Sequence, residues 1–93
     1  MTNKYMYFIA NWKMYGGIKT LDSLNKVISF SKTHTKNKIK IIYCPPFTLI
    51  SSLSQKVKNT SIEVGAQNCH ESQKYASLTG QINSSMLKQV GAK

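Results

Sequence analysis

The chain is expected to be an α/β protein on parallel strands, in the order β-α-β-α-β-loop-α. Three observations predict it. Short apolar runs rich in β-branched and aromatic residues begin near positions 6, 39 and 62. The first two intervals between them carry apolar residues at helical rather than alternating spacing. Successive strand starts lie 33 and 23 residues apart, which is the room a crossover between parallel neighbours requires.

Each element can be justified in turn. Met6 to Ala10 is apolar throughout, the pattern of a strand covered on both faces. Gly16-Gly17 break it. Ile18 to Lys32 reads as a helix, with Ile18, Leu21, Leu24, Val27 and Ile28 on one half of a wheel. Asp22 in its first turn and Lys32 in its last suit the helix dipole; Phe30 lies off the apolar face. Ile39 to Tyr43 forms the second strand, centred on Ile41 and Ile42. The alternating Lys36, Lys38 and Lys40 read as a solvated approach to it. Pro45-Pro46 ends the strand and can open a helix, whose core stripe is Leu49, Ile50, Leu53 and Val57. Ile62 to Ala66 is the third strand. A polar stretch from Asn68 to Gly80 follows, long for a loop in a compact domain and so a candidate for binding. Asn83 or Ser84 caps a short helix through Met86, Leu87 and Val90, stopped by Gly91. Three such units fit the rhythm of a (β/α)8 barrel, which allots roughly 31 residues to each. They fit half of a doubly wound sheet equally well, so the fold alone leaves function open.

Composition excludes several classes. With 93 residues, 41% of them hydrophobic, the chain has apolar material for a core and is one small domain or part of a larger one. The longest apolar run, Tyr5 to Ala10, is too short for a membrane span of about 20 residues or a signal sequence core of about 7. Two cysteines, at 44 and 69, make neither a disulfide framework nor a zinc cluster, and a reduced cytoplasmic protein is expected. Thirteen lysines against three acidic residues give a net charge of +10. That balance raises a small lysine-rich nucleic-acid-binding module as the alternative function. Two features weigh against it: the sequence has no arginine, the residue best suited to bidentate phosphate and base contacts, and the lysines are scattered from Lys4 to Lys93.

The candidate chemistry lies in Asn11-Trp12-Lys13-Met14, directly after the first strand. If the strand continues, Asn11 and Lys13 share a side. They stand at the C-terminal end of a parallel strand, where α/β folds place their sites. A lysine brings a cation for a phosphate or a developing oxyanion, and an asparagine adds a neutral donor for a carbonyl oxygen. On position alone, a solvated lysine and a turn asparagine remain the simpler account.

Asn11-Trp12-Lys13-Met14 with Gly16 resembles the signature after strand one of the triosephosphate isomerase family. Tyr43-Cys44-Pro45-Pro46 resembles its end of strand two, and Gly65-Ala66-Gln67-Asn68 its end of strand three. Thr79-Gly80, Met86-Leu87-Lys88 and Gly91-Ala92 resemble its third loop and helix. These blocks stand in family order at family spacing and cover essentially the whole chain. The resemblance implies that residues 1–93 are the N-terminal portion of a single barrel domain, with strands four to eight absent. It implies interconversion of dihydroxyacetone phosphate and glyceraldehyde 3-phosphate by proton transfer through an enediolate, in glycolysis and gluconeogenesis, without metal or organic cofactor. Asn11 and Lys13 become the catalytic and substrate-binding residues. The family's glutamate base and electrophilic histidine, themselves a standard illustration of environment-tuned acid–base chemistry, follow later strands and have no counterpart here. The chain alone is therefore expected to be inactive.

The resemblance further implies a homodimer through the 68–80 loop, with Thr79 and Gly80 set beside a partner's Asn11 and Lys13, and neither nucleic acid nor membrane as a partner. The sequence departs from the family pattern at Tyr15, at Ala76-Ser77-Leu78, and at Gln81 and Gln89 where acidic residues are usual. His34, His70, Glu63 and Glu71 match no family base, and surface or packing roles are expected for them. Cys44 and Cys69 are read as small apolar side chains, and Trp12 as an anchor of the turn.

Overall fold

A computed structural model describes residues 4–34 and 38–93. Three strands, β1 (Met6–Asn11), β2 (Ile39–Cys44) and β3 (Glu63–Val64), form one parallel sheet in the order β1-β2-β3. The register pairs Met6 with Ile39 through to Asn11 with Cys44, and Ile42 with Glu63. The crossovers carry the helices α1 (Asn25–Thr33) and α2 (Ile50–Lys56), and α3 (Ser84–Gln89) follows the long loop. The sheet is open rather than closed into a barrel.

The core is built where α2 lies on β3. Ile50 and Leu53 are fully buried, and Leu49 and Val57 nearly so, as the stripe predicts. They pack with Leu21, Leu24, Ile62, Val64 and Leu87. Burying each such side chain contributes roughly 1.5–3 kcal/mol. Ile41 and Tyr43 of β2 lie against the same cluster. Strand alternation therefore puts Lys40, Ile42 and Cys44 on the opposite face, with Glu63 and Gly65 beside them. A Cβ built at Gly65 would come within 2.9 Å of Cys44 Sγ, which confirms the shared face. The register adds Tyr7, Ile9 and Asn11 to this second face.

Several expectations change. The segment read as one helix from Ile18 is a 3-10 helix over Ile18–Leu24 followed by α1. The spacing admits either form, and local hydrogen bonds at the start select the tighter one. Ile18, Leu21 and Leu24 are three residues apart, which matches the three-residue turn of a 3-10 helix. Thr20 Oγ1 accepts the Gly17 N–H at 2.9 Å and ties its start. Leu21 and Leu24 are buried, Ile18 is exposed, and Asp22 falls outside the first turn of α1. Phe30 finds its partner in His34, the rings stacked at 3.9 Å.

Lys40 is not a freely solvated lysine. It pairs with Glu63 Oε1 at 3.1 Å and sits 5.7 Å from the Tyr5 ring. Lys36 lies outside the described residues. β3 is shorter than Ile62 to Ala66, although the Gly65 N–H still bonds Tyr43 O at 2.8 Å. β1 was expected to be covered on both faces, yet Met6, Phe8 and Ile9 are all more than half exposed. The core gathers on α2 and β3, and among the described helices none is part of a substantial contact with β1.

The 68–80 loop has no regular element of its own but is pinned at its base. The His70 N–H bonds Ile82 O at 2.8 Å, and His70 Nδ1 accepts the Ser72 N–H at 3.0 Å. Asn83, not Ser84, caps α3, its Oδ1 accepting the Met86 N–H at 2.9 Å. Gly91 follows that helix at φ 110°. Within that helix Leu87 is buried and Met86 exposed, and Val90, expected on its apolar side, is its exposed C-cap. The final backbone N–H, of Lys93, bonds Val64 O at 2.8 Å, alongside β3. Among the described residues no helix is long and apolar enough to cross a membrane.

Candidate active site

The site forms where the three strands end together. β1 finishes at Asn11, and the Trp12 N–H makes a last bond across to Cys44 O at 3.0 Å. The chain then turns. Asn11 Oδ1 accepts the Lys13 N–H at 2.8 Å, the local bond by which asparagine initiates turns. With that oxygen engaged, the amide keeps two N–H donors at Nδ2. Lys13 adopts φ 55°, left-handed backbone that costs a non-glycine residue roughly 1–3 kcal/mol. Strand alternation therefore stops at Asn11, and the turn rather than the pleat sets Lys13.

Two contacts hold the turn. Trp12 meets Tyr43 edge-on at 5.7 Å, and a Cβ at Gly16 would lie 3.1 Å from the Trp12 ring. Glycine there, at φ 106°, allows the chain to pass the indole. Partial burial in this corner pushes the Tyr43 phenol above its usual pKa. From just beyond β3, Gln67 reaches over: its Nε2 donates to Lys13 O at 2.8 Å and to Cys44 O at 2.9 Å. The sequence reading quoted Gln67 within a motif but gave it no role. The only signal available was its place in the block Gly65-Ala66-Gln67-Asn68 directly after the third strand.

Asn11 and Lys13 thus come together, both exposed at the mouth of the sheet. Thr79 and Gly80 are also exposed, at the end of the loop, and no hydrogen bond links them to Asn11 or Lys13. Glu63 lies within β3, level with Ile42 rather than at the strand end, and is engaged by Lys40. His34 caps the C-terminal end of α1, before β2. His70 sits at the loop base with Nδ1 occupied. The arrangement offers a cation and an amide donor suited to an anionic substrate with a carbonyl oxygen. Among the described residues, no carboxylate or imidazole hydrogen-bonds to either of them.

A sequence model described as triosephosphate isomerase matches residues 6–93, spanning the strand-end turn, Gln67 and the long loop. The chain belongs to the triosephosphate isomerase family.

The relatives bear this out. The triosephosphate isomerase of Ehrlichia chaffeensis is 38% identical over 88 residues, 92% of this chain and 35% of that protein. That of Chlamydia muridarum is 39% identical over 90 residues, 97% of this chain and 33% of the relative. The crystal structure of the Bartonella henselae triosephosphate isomerase superposes with a TM-score of 0.79 at 32% identity, over 92% of this chain and 34% of that one. The chain therefore spans about a third of the length of the triosephosphate isomerases it matches. The open sheet is part of a TIM-barrel architecture. Nothing in these relationships supports the nucleic-acid-binding reading.

Proposed function

We propose that these residues supply the Asn11–Lys13 part of a triosephosphate isomerase site, in a barrel completed by five further strands. The observation that carries the reading is Lys13, held in a left-handed turn at the end of β1 inside a segment matched to that family. In this reading Asn11 Nδ2 donates to the substrate oxygens. The Lys13 ammonium offsets the charge of the phosphate and of the enediolate as it forms. A preorganised donor of this kind lowers a barrier by about 3–4 kcal/mol. The base that removes the proton and the electrophile that polarises the carbonyl belong to strands beyond this chain, so residues 1–93 alone do not turn over substrate. The substrate is a triose phosphate, and the setting is the cytoplasm.

The 68–80 loop belongs to the same reading as a homodimer contact, with Thr79 and Gly80 approaching a second subunit's Asn11 and Lys13. Its exposed Tyr75 and Leu78 are the apolar surface such a contact would cover.

The test is a chimera in which residues 1–93 replace the matching third of the Ehrlichia chaffeensis enzyme. The native chimera is expected to isomerise glyceraldehyde 3-phosphate, and Lys13→Ala to lose at least a hundredfold in kcat/KM. A folded chimera whose Lys13→Ala variant keeps near-native kcat/KM would sink the assignment.

A further inference from the structure

We propose that Lys40, Glu63 and Gly65 form a register lock for β3, positioning residues that set the height at which the chain leaving that strand meets the site. The proposal rests on the isomerase reading above for its activity readout and adds to it what fixes the third strand. β3 is very short. Its regular ladder to β2 covers only Glu63 and Val64, against six pairs between β1 and β2. Backbone bonds alone therefore do little to choose one register over its neighbours.

A slip by one residue turns every side chain to the other face. It would bring Ile62 and Val64 out of the core, where they are 5% and 2% exposed, so burial excludes it. A slip by two keeps each residue on its own face and escapes that test.

Two side-chain fits on the opposite face separate the two-residue slips. Lys40 Nζ meets Glu63 Oε1 at 3.1 Å, although Glu63 stands level with Ile42, two residues further along. The lysine already reaches up the sheet to make the pair. Sliding β3 two places toward the strand ends would set Glu63 level with Cys44, about 13 Å along the sheet from Lys40, and break the pair. Sliding it two places toward the strand starts keeps the charges close but takes Gly65 away from Cys44. In the observed register Gly65 follows level with Cys44, and a Cβ there would stand 2.9 Å from Cys44 Sγ. After that slide Gln67 would take the place of the glycine, and its side chain would crowd the thiol. The ion pair blocks one direction and the glycine blocks the other. Only three residues of the whole chain are acidic, and one of them stands in this two-residue strand.

The lock matters to the site because everything after β3 follows its height. A two-residue slip carries the 65–68 block and the base of the 68–80 loop about 6.6 Å relative to the turn at Lys13. An ion pair that only stabilises the fold would lower the melting temperature and leave the turnover of the folded enzyme unchanged.

The experiment uses the chimera described above. Lys40→Glu sets two carboxylates together, and Lys40→Glu/Glu63→Lys restores the pair with its charges exchanged. Gly65→Ala crowds Cys44, and Cys44→Ala/Gly65→Ala removes the thiol it meets. Two properties of the folded protein are read: kcat/KM, and amide exchange at Gly65, whose N–H bonds Tyr43 O at 2.8 Å in the observed register. Each single variant is expected to lose about tenfold in kcat/KM together with the protection at Gly65. Each double is expected to return within threefold of native and to regain that protection, since rescue by the partner marks residues that act as a unit. Singles that fail to fold while their doubles fold and turn over support the lock equally. A folded single within threefold of native kcat/KM, or with native protection at Gly65, would overturn the lock and leave the isomerase reading standing. A double no better than its single in folded yield and kcat/KM would overturn it as well. A folded native chimera without isomerase activity would remove the isomerase reading, and exchange at Gly65 would then decide the lock alone.

Discussion

Lys13 carries two burdens at once: a charge presented to solvent and a backbone conformation that lysine disfavours. Its neighbours answer the second. Asn11 and Gln67 satisfy its N–H and C=O, while Trp12 and Gly16 pack the corner through which the chain turns. A second lysine shows a different use of charge. The hydrogen bond and the negative charge of Glu63 raise Lys40 above its ordinary pKa of 10.5. A group whose pKa is higher in the folded state stabilises it below the unfolded pKa and loses that contribution as pH rises through the folded value. Lys40→Met in the chimera is therefore expected to lower Tm by a constant amount up to about pH 10 and to converge on native above it. A melting series across pH that shows no convergence would refute the pairing. Asn11, Lys13 and Trp12 stood out in the sequence as a motif. The Lys40–Glu63 pair did not, because it depends on the register of β2 against β3.

At the scale of elements, α2 is the part whose sequence and structure agree most closely. Its stripe of Leu49, Ile50, Leu53 and Val57 is buried as its spacing predicts. Leu53 has no exposed surface, so Leu53→Ala leaves a cavity beneath α2 and is expected to cost roughly 2–5 kcal/mol. Urea unfolding of the chimera measures it, and a cost below 1 kcal/mol would place the core elsewhere. The 18–33 segment shows why a helix could be read but not its type. Residues three apart fit both a 3-10 ridge and one side of an α-helix, and the hydrogen bonds at Gly17 and Thr20 select the tighter form at its start. The short extent of β3 was equally out of reach. Ile62 to Ala66 has strand-like residues, but the regular ladder to β2 covers Glu63 and Val64 and ends with the Gly65 N–H on Tyr43 O.

For the whole molecule, the exposed apolar surface of β1 sets the behaviour. Met6, Tyr7, Phe8 and Ile9 are each between 52% and 63% exposed, on a strand with one open edge. Such an edge is a template for further pairing. The isolated 93-residue chain is expected to associate or to bind a hydrophobic dye, and to melt without a sharp transition. Cooperative unfolding of a monomer by calorimetry, with no dye binding, would contradict this. In a completed barrel the same strand gains neighbours, and the second face of the sheet becomes an interior. By register, Tyr7 and Lys40 lie toward the strand starts on that face, Ile9, Ile42 and Glu63 in the middle, and Asn11, Cys44 and Gly65 at the mouth.

The sequence by itself determined the order of elements, the parallel sheet, the buried stripe of α2 and the motifs that place Asn11 and Lys13 at a strand end. These are local properties, written in the spacing of apolar residues and in turn chemistry a few positions long. The tertiary structure alone decided that a glutamine 54 residues away holds the backbone of Lys13, that Lys40 faces Glu63, and that β1 is left uncovered. Those depend on strand register and on which surfaces the helices reach, and both are settled only when distant segments pack.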